Sequence, residues 1–171
     1  MATAVLLSLS GVVLATPAAG QAVSPQDDSV QCDMGGIAAF SPAVSNTAAQ
    51  STMKLTVGKR QCVDDASEVA SVTFEVSFTG SLSCTALPAG TSGKATYTWY
   101  LTDGSTDTST ANVHLTGASP QEFTIEGSIA NGRYEAQSVD GEGSIDLAGA
   151  EGGCDADGVA EARMDGTFTV T

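Results

Sequence analysis

The sequence predicts an all-β domain of about eight antiparallel strands, closed as an up-and-down barrel or stacked as a sandwich, with two disulfides. Three observations carry that expectation. Apolar and polar residues alternate with period two in segment after segment; Gly, Pro, Asn and Asp fall between those segments; and four cysteines, Cys32, Cys62, Cys84 and Cys154, lie far apart in a chain that opens like an exported protein.

At 171 residues the chain suits a single domain. Residues 1–20 read as a signal peptide with cleavage near 20–22, residues 21–29 as a short flexible N-terminus, and 30–171 as the all-β domain. The run AVLLSLSGVVLA at 4–15 is apolar, and Thr16, Pro17, Ala18, Ala19 and Gly20 follow as a cleavage zone. A helix of that run rises about 18 Å, short of the roughly 30 Å hydrocarbon core, so no membrane anchor is expected. No Lys or Arg precedes Lys54, so the usual basic n-region is missing. A true start upstream of Met1 would supply it; a buried N-terminal strand is the alternative. Ser29, Val30 and Gln31 before Cys32 lack the residues that precede a lipid-modified cysteine. A secreted, extracellular protein is the expectation.

Four segments alternate cleanly. Val72, Phe74, Val76 and Phe78 form one apolar face, followed by Ala95, Tyr97, Trp99 and Leu101, then Phe123, Ile125, Gly127 and Ile129, and finally Met164, Gly166, Phe168 and Val170. Weaker segments span 30–40, 53–60, 106–116 and 133–147. No helical period is sustained, and Thr and Val suit strands. Between segments stand Leu87-Pro88-Ala89-Gly90, Asp103-Gly104, Gly117-Ala118-Ser119-Pro120 and Asn131-Gly132, the last a strong signal for a two-residue hairpin turn. The longest connection, 148–160, contains Cys154.

Cysteines spaced this widely lack the close ligand pairs of a zinc site, and an exported domain favours disulfides. If successive strands run up and down, Cys32 and Cys62 meet at one end, and Cys84 and Cys154 at the other. A Greek-key crossover would instead favour Cys62 with Cys84.

Twenty acidic against six basic residues give a net charge of -14. That balance excludes phosphate-neutralising contacts with nucleic acid and disfavours anionic lipid surfaces. The acids look scattered over turns and polar strand faces, as expected for solubility and protection against edge pairing.

Candidate chemistry is sparse. His114, the only histidine, alternates with Val113 and Leu115 and should face solvent. No G-x-S-x-G elbow occurs, and one Trp gives little basis for a sugar cleft with paired carboxylates. Asp155, Asp157 and Gly158 resemble part of a calcium loop, but Gly153 and Met164 occupy its first and last positions, so the EF-hand reading fails. A looser oxygen site on Asp155 and Asp157 with a neighbour such as Glu151 is the residual metal candidate. No cofactor is expected. Tyr97, Trp99 and Tyr100 are the one aromatic cluster: either Tyr97 and Trp99 are core and Tyr100 half-exposed, or the three form a ligand-binding patch or cavity wall.

Several stretches resemble a group of small secreted actinobacterial β-proteins. They are GGIAAFSPAV at 35–44, Cys62, FTGSLSC at 78–84, TIEGSIANGRY at 124–134 and GTFTV at 166–170. The resemblance covers most of the mature chain and implies a signal peptide, four cysteines and no established activity, so it transfers no functional residue. This chain departs from the group in its acidity and its long 151–158 loop. In composition alone it is also similar to the acidic β-sandwich apoproteins that carry enediyne chromophores, whose disulfides close shorter loops.

The expected role is a secreted, non-catalytic binding or surface-interaction module, with a small molecule, a glycan or another exported protein as partner. The alternative is an enzyme inhibitor or small hydrolase acting in the medium. An inhibitor would present a rigid loop near Leu87-Pro88 or at 151–158.

Overall fold

The computed structural model describes residues 29–117 and 119–171. The expected leader, its cleavage zone and residues 21–28 lie outside this range. Nine strands follow in order: β1 (Val30–Asp33), β2 (Gly36–Val44), β3 (Ala49–Asp64), β4 (Val69–Leu82), β5 (Thr91–Leu101), β6 (Thr106–Leu115), β7 (Phe123–Gly132), β8 (Ser138–Asp146) and β9 (Val159–Val170).

From β3 to β9 each strand pairs antiparallel with the next, and β2 pairs with both β3 and β9. That contact closes the sheet into an eight-position barrel. The ninth strand adds no position, because β1 lies between the same two neighbours as β2. Against β9 the register runs unbroken from Cys32 opposite Phe168 to Gly36 opposite Met164, and Met34 N–H donates to Gly166 O at 2.8 Å in between. Against β3 it slips by one residue, from Cys32 opposite Cys62 to Gly36 opposite Val57. The β3–β4 register slips over the same span, between Val57 and Arg60, so β3 carries a bulge there. Arg60 Nε fills the interruption by donating to Gly35 O at 2.8 Å. β1 and β2 therefore act as one interrupted strand, and the architecture is the up-and-down barrel.

The alternating faces follow directly. Phe74, Val76, Phe78, Ala95, Tyr97, Trp99, Phe123, Ile125, Met164 and Phe168 all point inward and are buried. Their polar neighbours form the outer wall, where Thr73, Thr98 and Thr108 stand in one row across β4, β5 and β6. Apolar inside and polar outside is the reverse of a lipid-facing barrel. A barrel this narrow must bend sharply, and inward glycines allow it. A Cβ on Gly127 would lie 2.2 Å from Asn112 O, and one on Gly166 would lie 2.2 Å from Glu142 O. At the centre Phe74, Tyr97, Val113, Ile125 and Phe168 surround only about 10 Å³ of free space, the limit for one water.

The disulfides are Cys32–Cys62 and Cys84–Cys154. The first lies at the rim where β1 starts, and the second at the opposite rim. There Cys84 N–H donates to Ser45 O at 2.8 Å and Asn46 N–H to Cys154 O at 3.2 Å, tying three connections together. No cysteine is free. Two disulfides belong to an oxidising, extracellular-type environment. Among the described residues no helix is long and apolar enough to cross a membrane.

One turn differs from expectation. Asn131 and Gly132 do not reverse the chain; they continue β7 and pair with Thr110 and Ser109. A register shift at Ala130 carries β7 onward, and the reversal falls at 133–137, where Tyr134 and Ala136 adopt φ of 64° and 70°. Strand β8 accordingly begins at Ser138 rather than Arg133.

The Cys84–Cys154 bridge closes the longer loop, so replacing both cysteines by Ser should lower unfolding free energy by about 2–4 kcal/mol. Urea denaturation of the oxidised proteins measures it, and an unchanged midpoint would contradict that role.

Candidate functional site

Tyr97 and Trp99 are interior residues. Their rings stack at 5.4 Å and 7°, and Phe74 and Phe168 pack against Tyr97 at 5.3 and 5.6 Å. With so little free space around them they form packed core and not the wall of a ligand chamber. Tyr100 takes the other face of β5, half-exposed, with Lys59 Nζ 4.0 Å from its ring centre. The three residues therefore do not form one patch.

Trp99 reaches the rim where β1 starts. Its Nε1–H donates to Ser109 Oγ at 2.9 Å, and Ser109 O–H donates to Arg133 O at 2.6 Å. Tyr134 covers Trp99 edge-on at 5.3 Å. The Arg133 guanidinium pairs with Glu68, in the β3–β4 connection, and with Asp107 on β6 at 3.1 Å. Between Lys94 and Arg163 the chain has no other basic residue, and that isolation was the one sequence signal for this cluster.

The remaining candidates do not assemble. Asp155 accepts a hydrogen bond from Asn46 Nδ2, and Asp157 is exposed. No group of three metal-ligating side chains comes together among the described residues, so the looser calcium site has no donor set. Leu87 and Pro88 are buried, with Pro88 Cβ against Gly80, which removes them as an exposed inhibitory loop.

His114 is exposed, and Ser92 Oγ lies 2.9 Å from its Nδ1. Glu126 is the cross-strand neighbour of His114, so Ser, His and Glu occupy three adjacent strands. The ion pairs among the described residues do not include His114. The pair stands on the outer wall amid laddered backbone.

Two outer features escaped sequence reading. Strands β7, β8 and β9 bring Glu126, Asp140, Glu142 and Asp165 onto one wall, with Glu126 directly opposite Asp140. Four acids that stand apart in the sequence thus share one wall, while Lys54, Lys59, Arg60 and Lys94 lie on β3 and β5. The second feature is a groove of about 890 Å³ along the β2–β9 seam, beneath the 147–158 loop. It forms because the pairing lapses between Ala39 and Val44. Ile37, Ala39 and Ala160 line it, and Asp146, Glu151, Glu161 and Arg163 border it.

Comparison with protein-family models, with curated proteins and with solved structures returns no match.

Two outcomes are expected. Ser109→Ala strips the buried Trp99 N–H of its partner and should cost about 1–3 kcal/mol in chemical denaturation. Burial pushes the Tyr97 phenol above its ordinary value of about 10. Stability from its neutral form is complete below that pH and lost as pH rises further, because the unfolded chain ionises first. Tyr97→Phe should flatten the alkaline decline in a melting series, and an equally steep decline would assign it elsewhere.

Proposed function

We propose that this protein is a secreted, non-catalytic interaction module whose outer wall, not its lumen, engages a partner. The observation that carries the reading is the contrast between a filled interior and the open seam groove. A carrier barrel keeps a chamber for its ligand, and here aromatic side chains occupy that volume. The groove offers apolar floor at Ile37, which is 41% exposed, and Ala160. Three carboxylates against one guanidinium at its border fit a basic, extended segment of another exported protein, with Arg163 opposite Asp146 closing one side. A glycan fits less well, because the groove lacks the exposed aromatic platform that stacks on sugar rings. The resemblance to secreted actinobacterial proteins adds no residue to this reading.

A benzophenone side chain placed at Ile37 should photo-crosslink to a discrete exported protein in spent culture medium. The same probe at Thr98, on the far wall, should give no adduct, and Glu161→Lys should reduce the yield at position 37. Adducts at both positions, or at neither, would remove the groove as the interaction surface.

A further inference from the structure

The rim opposite the 147–158 loop holds a second, independent feature. Among the described residues, the buried side-chain atoms without a hydrogen-bond partner are Arg133 Nε, Tyr134 OH and Gln137 Oε1. All three belong to the loop 133–137. Native structures leave few buried polar groups unpaired, so their concentration in five residues sets this loop apart. Of the three non-glycine residues at positive φ among the described residues, two, Tyr134 and Ala136, lie in the same loop.

Most of what the loop covers is, by contrast, anchored without it; the exception is Ser109, whose O–H donates to Arg133 O at 2.6 Å. Trp99 is fixed in β5 by its stack on Tyr97 and its bond to Ser109. Asp107 belongs to β6. Glu68 stands beside a turn that is pinned by Asp64, whose carboxylate accepts from the N–H groups of Ala66, Glu68 and Val69. Two carboxylates and the Trp99 indole thus form a receptor built on the barrel. Arg133 supplies the cation between the carboxylates, and Tyr134 supplies the ring against the indole.

We infer that this rim is a binding site for a peptide segment carrying an arginine beside an aromatic residue, and that Arg133 and Tyr134 occupy it in cis. The receptor chemistry is defined by its present occupant: a planar cation shared by two carboxylates, with an aromatic ring packed edge-on against Trp99. The Arg133 guanidinium and the Tyr134 hydroxyl face each other without a well-formed hydrogen bond, and Gln137 Oε1 has no partner among the described residues, so a competing segment that pairs its own polar groups displaces the loop. The seam groove lies toward the other rim, and neither site depends on the other.

The test uses N-acetyl-arginyl-tyrosine amide, read by the fluorescence of Trp99, the only tryptophan. The dipeptide should bind the Arg133→Ala/Tyr134→Ala variant at least about tenfold more tightly than the native chain, because the internal competitor is gone. Adding Glu68→Gln and Asp107→Asn should abolish that gain, and N-acetyl-glutaminyl-tyrosine amide should bind at least about tenfold more weakly than the arginyl probe. Equal binding of the two dipeptides would reduce the site to a plain cavity and overturn the proposal. So would unchanged Trp99 emission with native near-ultraviolet dichroism. Should the double variant not fold, the native protein gives its own answer. The dipeptide should accelerate hydrogen exchange at the Ala136 amide, which donates to Ile129 O, while Val113 stays protected. Exchange at Ala136 that ignores the dipeptide would equally refute displacement.

Discussion

Closure of the sheet between β9 and the first strand pair is the contact on which the rest of this structure depends. An open sheet of seven strands would leave two edges and one apolar face in water. The interrupted β1–β2 strand satisfies both edges at once, because its two segments share the same pair of neighbours. The interruption is tolerated because the β9 register continues through it and the β3 bulge absorbs the extra residue. Once closed, the barrel has a fixed and narrow bore. Large side chains from β4, β5, β7 and β9 fill it, and glycines at Gly127 and Gly166 allow neighbouring backbones to approach. A filled bore in turn directs any binding to the wall and the rims.

Much of this architecture was legible in period-two alternation. The faces built on Phe74, Tyr97, Phe123 and Phe168 are all inward, and the up-and-down assumption pairs Cys32 with Cys62 and Cys84 with Cys154. Alternation states which face is buried and how strands follow one another, and those two facts suffice for an antiparallel meander. It does not say whether the first and last strands meet, so barrel and sandwich stayed open. It also cannot place a bulge, since one extra residue leaves composition unchanged. That is why Asn131-Gly132, a strong local turn signal, continues a strand here.

The candidate site was less legible for a related reason. Tyr97 and Trp99 stood out as aromatics, yet position along a strand does not reveal whether an inward ring meets space or other rings. Arg133 binds Glu68 across 65 positions of sequence, and the acidic wall joins residues from three strands. Both are products of register, which a single sequence encodes only through the complete fold. Asp155 and Asp157 show the converse: near neighbours in sequence, they join no shared donor set among the described residues, Asp155 accepting from Asn46 Nδ2 while Asp157 is exposed.

The position of the two disulfides has a mechanical consequence. Val30 and Val170 are cross-strand neighbours, so tension applied through the two ends of the barrel pulls β9 away from β1 one bond at a time, like a zipper. Such peeling resists little force. Once β9 is free, the load passes through Cys154 to Cys84, along β4 to Cys62 and through the bridge to Cys32. β4 is already extended and is gripped at both ends through covalent bonds, so it is drawn taut without sliding against β3 or β5. Residues 33–61 and 85–153 bear no tension along that path. A domain tethered at both ends would therefore yield early at its seam, hold at β4, and keep most of its chain shielded from the pull.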